Sequence, residues 1–129
     1  MDVFSVQRSS QMISESLSSV AAALENGELE IAESKLNEIL ATVPNSPEAL
    51  NLSGLVSLRL GNCTSAINFF RDAVFLDKDS AIYLLHFGSV LVMDGRLKKA
   101  VSAYSRFLRD YPDNPNVFFE LGNAFFTFR

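Results

Sequence analysis

The chain has 129 residues, 48% of them hydrophobic and 20% charged, which is enough apolar material for one packed domain. Eleven basic residues against fifteen acidic ones leave a formal net charge of −4, a balance that argues against binding nucleic acid through its phosphates. A single cysteine, Cys63, and a single histidine, His86, exclude an internal disulfide framework and a metal site built on several Cys or His side chains, so neither metal nor cofactor is expected.

Residues 1–12 form a Ser-rich lead, with Ser5, Ser9 and Ser10, into a first helix. The opening Met1-Asp2-Val3-Phe4-Ser5 lacks the basic leader and apolar core of a secretory signal, so a cytoplasmic location is the expectation. From there a period of 34 residues runs through the chain. Gly27, Gly61 and Gly95 share it, as do Ala32, Ala66 and Ala100, and Gly54, Gly88 and Gly122. Leu36, Phe70 and Tyr104 form a bulky series at the same spacing, and Leu29, Cys63 and Leu97 an apolar one. The units are 13–46, 47–80 and 81–114, followed by a half unit, 115–129.

Each unit reads as helix, turn, helix. In the second unit Ser46 is suited to cap a helix that opens on Pro47. Gly61 supplies the left-handed residue that ends this helix, and Asn62 is placed to cap the next. Ala66, Ile67, Phe70, Ala73 and Val74 then recur at the three- and four-residue spacing of a buried helical stripe. The third unit repeats the scheme with Gly95 in its turn and Pro112 after its second helix. Gly54, Gly88 and Gly122 fall inside helices, where glycine costs about 1 kcal/mol relative to alanine. That repeated cost predicts a close helix approach, with Ala32, Ala66 and Ala100 opposite the glycines. One such unit cannot bury its own apolar face, so the units must stack.

This pattern resembles the tetratricopeptide repeat family. In the third unit the family's pattern is met by Leu84, Phe87-Gly88, Leu91, Ala100, Tyr104 and Pro112, with Phe107 in place of the usual small residue. The second unit supplies Leu50, Ser53-Gly54, Ala66, Phe70 and Ala73, with Lys78 where proline is usual. The first unit has Gly27, Ala32, Leu36 and Pro44, but Val20 stands at its helical glycine position. The resemblance implies an all-α, right-handed superhelical array of antiparallel helix pairs, about three units plus a C-terminal half unit. It also implies a concave groove lined by the first helix of each pair.

On the resemblance, the groove positions are Leu17, Ala21 and Leu24; Asn51, Leu55, Leu58 and Arg59; Ile82, Leu85, Ser89, Val92 and Met93; and, in the half unit, Asn116, Phe119, Asn123 and Phe126. The segment Ala81–Met93 is apolar all round, so a second surface besides its internal packing should be covered. Its 13 residues fall short of the roughly 20 that span a membrane. Either an apolar or amphipathic peptide fills the groove, or the protein's own chain or a second copy closes it. Some family members hold an acidic C-terminal tail with Lys, Arg and Asn groups. Here the matching positions are Leu17, Ala21, Leu52, Ile82 and His86, so no tight binding of such tails is expected.

Two further features stand out. The half unit carries Phe118, Phe119, Phe125, Phe126 and Phe128, an apolar ending where arrays usually place a polar cap, which predicts self-association through Phe118, Phe125, Phe126 and Phe128. The first unit has six acids against one base and the third has five bases against three acids. No catalytic constellation emerges: no acid stands at helical spacing from His86, Cys63 falls in an apolar series, and no glycine-rich phosphate loop occurs. The expectation is a protein-interaction module (an adaptor, scaffold or client chaperone) rather than an enzyme. The alternatives are the N-terminal repeat region of a larger enzyme such as a glycosyltransferase, or a self-associating assembly unit.

Overall fold

A computed structural model describes residues 3–113 and 115. Six helices follow one another: α1 (Val3–Glu25), α2 (Leu29–Thr42), α3 (Pro47–Arg59), α4 (Cys63–Leu76), α5 (Ala81–Met93) and α6 (Leu97–Asp110). Each packs against the next, and α1 also touches α3, so the pairs α1/α2, α3/α4 and α5/α6 stack in chain order. The Ser-rich lead does not stand apart from the first helix: α1 begins at Val3 and takes it in.

The turn inside each pair is the same device. Gly27, Gly61 and Gly95 have φ of 75°, 81° and 76°, a region where a side chain would be strained. That conformation folds two backbone N–H groups back onto the helix end, as from Gly61 to Leu58 (3.1 Å) and from Asn62 to Ser57 (2.8 Å). The following helices start less uniformly. Ser46, Asn62 and Ser80 accept side-chain cap bonds from Ala49, Ser65 and Tyr83 at 3.2, 3.2 and 3.4 Å. Glu28 and Arg96, one period either side of Asn62, make no such bond.

The helical glycines meet the bulky series of the partner helix at close range. A Cβ on Gly54 would lie 2.5 Å from the Phe70 ring, and one on Gly88 would lie 2.7 Å from the Tyr104 ring. The glycines seat an aromatic ring of the partner helix, which is the close helix approach that their repeated cost predicts. Phe70 and Tyr104 are fully buried there. The interior divides into two clusters. One centres on Val20, Leu36 and Val56; the other holds Phe70, Leu91, Tyr104 and Phe107; and Leu55 packs against both.

Candidate functional site

The first helices of successive pairs lie side by side, and two hydrogen bonds set their register. Arg59 of α3 donates through Nη1 to the carbonyl of Leu24 near the end of α1. There its charge also meets the negative end of that helix dipole. Nδ1 of His86 on α5 bonds Oδ1 of Asn51 on α3 at 2.9 Å. Both links join residues 35 apart, one period plus one, and tie α1 to α3 and α3 to α5.

His86 is half-buried, with its ring 5.5 Å from that of Phe70. Burial lowers its pKa below the ordinary histidine value, so the imidazole is neutral at pH 7. With the carbonyl oxygen of Asn51 opposite, Nδ1 carries the proton and donates it. Asn51 itself is buried. A second polar pair closes in the same way: Oγ of Ser89 and the hydroxyl of Tyr104 are 3.0 Å apart. The polar side chains of this face are thus bonded to the protein itself. Between them lie Leu55, Leu58, Leu85 and Val92, all half-buried, while Ile82 and Met93 stand 51% and 62% exposed at the margins.

The expected groove residues therefore separate into groups. Leu55, Leu58, Ile82, Leu85, Ser89, Val92 and Met93 share the face of α3 and α5. Ala21 is exposed on α1, but Leu17 and Leu24 are buried in the N-terminal cluster and offer no surface. Asn51 and Arg59 are tied to His86 and Leu24. Asn116, Phe118, Phe119, Asn123, Phe125, Phe126 and Phe128 lie outside the described residues. His86 stands among the positions matched to the family's tail-binding residues, but its bond to Asn51 was not foreseen. Its offset from Asn51, the same as that of Arg59 from Leu24, was the available signal.

Away from this face, a cleft of about 550 Å³ opens along α1 and α2, lined by Met12, Ile13, Ser16, Ser19, Lys35 and Ile39 among others. Nζ of Lys35 donates to Oγ of Ser19 within it. Among the described residues no group of His, Cys, Asp and Glu is placed to hold a metal, and no helix is long and apolar enough to cross a membrane.

The sequence model of the tetratricopeptide repeat matches residues 20–81 and 85–129. No curated protein matches the sequence. Among solved structures, a mutant of the Thermobaculum terrenum O-GlcNAc transferase superposes with a TM-score of 0.82 at 30% identity, over 91% of this chain and 22% of that one. This chain thus spans about a fifth of that enzyme's length. The first TPR of Spaghetti, bound to an HSP90 peptide, gives 0.80 at 18% identity, over 88% of this chain and 93% of that one. YrrB, described as a TPR protein with an unusual peptide-binding site, gives 0.75 at 18%, over 82% and 55%. The last two likenesses concern the fold, which is the all-α, right-handed superhelical array of antiparallel helix pairs that the resemblance implies.

Proposed function

The chain belongs to the tetratricopeptide repeat family, and from that premise we propose that it is a protein-interaction module whose concave groove holds an apolar or amphipathic segment of a partner protein. One observation carries the reading. The polar side chains of the α3–α5 face are bonded internally, which leaves Leu55, Leu58, Leu85 and Val92 as its free chemistry. A helix laid into such a groove gains by burying apolar side chains, at roughly 25 cal/mol per Å². An acidic tail finds no unengaged Lys, Arg or Asn on α3 or α5, because Arg59 and Asn51 are bonded to Leu24 and His86.

The test is capture of partners by the wild type and by Leu85→Glu and Val92→Glu, with helicity checked by circular dichroism. Loss of capture by folded variants supports the groove; undiminished capture contradicts it. Self-association through Phe118, Phe125, Phe126 and Phe128 belongs to the same proposal. A monomer by light scattering at high micromolar concentration contradicts that part alone.

A second reading is favoured by the likeness to a transferase of which this chain matches only a fifth. In it the array is the partner-binding arm of a larger enzyme. A coding sequence that continues well past Arg129 supports that reading, and a stop codon there contradicts it.

A further inference from the structure

The charges around the groove are as uneven as its apolar surface. Helix α3 carries two charged side chains, Glu48 and Arg59, and α5 carries none. Arg59 is turned to the carbonyl of Leu24. Glu25, the last residue of α1, stands one period before Arg59 and two before Met93, on the same edge of the face. Glu48 stands one period before Ile82, on the other edge. The Arg59–Leu24 and Asn51–His86 bonds tie α1 to α3 and α3 to α5, so positions one period apart follow one another along each edge. Among the described residues the ion pairs are Arg71 with Asp72 and Arg96 with Asp94, so Glu25 and Glu48 are both exposed and unpaired. The reach of Glu48 toward α5 shows at Tyr83. Its hydroxyl pKa is raised by burial first and then by the charges of Glu48 and Asp77.

We propose that the groove is selective for a cationic amphipathic segment, one whose apolar side chains meet Leu55, Leu85 and Val92 while lysines or arginines meet Glu25 and Glu48 at its edges. The inference rests on the groove reading above and adds the sign of the partner's charge. The apolar contact supplies the attraction, and the carboxylates select among partners that satisfy it equally.

The experiment uses three synthetic helical peptides with one common leucine stripe and with lysine, glutamine or glutamate at every other position. Fluorescence anisotropy measures their affinity for the wild type, for the double variant Glu25→Gln/Glu48→Gln, and for Leu85→Ser and Ile82→Ser. The two serine variants remove apolar surface without adding charge. At about 0.05 M salt the lysine peptide is expected to bind roughly three- to tenfold tighter than the glutamine peptide, with the glutamate peptide weakest. The preference should shrink to about twofold or less at about 0.5 M salt, where charges are screened, and in the double variant.

Equal affinities for the three peptides overturn the charge selectivity. So does a preference that survives in the double variant, which assigns the attraction to acids elsewhere, such as those of α2. In either case the groove reading stands if Leu85→Ser or Ile82→Ser weakens all three peptides. Binding that neither serine variant alters, or no binding by any peptide, overturns both proposals.

Discussion

In the first helix pair Val20 and Leu36 are both buried, whereas one period later the same two positions hold Gly54 and Phe70, and after another Gly88 and Tyr104. The seam between paired helices is closed twice by an aromatic ring seated on a glycine, and once by two aliphatic side chains of middling size. The division of volume matters for the outer face. In the later pairs the rings reach residues of α5: Phe70 lies beside His86, and the Tyr104 hydroxyl meets Ser89. In the first pair no such link forms among the described residues, and α1 presents Ala21 and Glu25. Interior packing and the outer face of α3 and α5 are coupled in the second and third pairs, and there that face carries half-buried Leu55, Leu58, Leu85 and Val92.

The largest expected effect comes from forcing the first pair's solution halfway into the second. Gly54→Val pushes a branched side chain into the Phe70 ring and should cost about 3 kcal/mol or more, read by urea denaturation. Adding Phe70→Leu recreates the Val20/Leu36 combination and should recover about half of that loss. A double variant no more stable than Gly54→Val breaks the comparison. Next, Arg59→Ala removes a charged donor from the end of α1 and should cost about 2 kcal/mol, which tests how firmly the first two pairs are tied. Tyr104→Phe, which keeps the ring and deletes the bond to Ser89, should cost about 1 kcal/mol.

Capping gives effects of similar size and of either sign. Asn62→Ala should lose about 1 kcal/mol, and Arg96→Asn, one period on at a helix start without a side-chain cap, should gain up to about 1 kcal/mol. The smallest effect is with pH. His86 has a lowered pKa in the folded state, so the unfolded chain takes up its proton first. Its contribution is intact above the ordinary histidine pKa of about 6.5 and is lost as pH falls below it. His86→Gln should flatten that part of the profile in denaturation series, while the wild type retains the slope.

Much of the array could be read from spacing, because the turn glycines Gly27, Gly61 and Gly95 recur where the 34-residue period places them. The positive-φ glycines, the caps at Ser46, Asn62 and Ser80, and the apolar stripe of α4 are local chemistry, fixed within a few residues. What spacing did not give was the partner of each helical glycine, since a period says which positions are equivalent and not which ones touch. Sixteen residues separate Gly54 from Phe70 and twelve separate it from Ala66, and either could face it across the turn. The groove was legible as a set of positions but not as a surface. Leu17 and Leu24 stand two periods before the half-buried Leu85 and Val92, yet both are buried in the N-terminal cluster with Val20, Leu36 and Val56.

The groove itself is best tested by two-dimensional NMR of the labelled protein during titration with the lysine-bearing leucine peptide. The predicted outcome is that shifts concentrate at Leu55, Leu58, Leu85, Val92 and Met93, with Ile31 and Phe75, exposed on α2 and α4, unmoved. Shifts confined to α2, α4 and α6 would place the contact on the second helices and contradict a groove floored by α3 and α5.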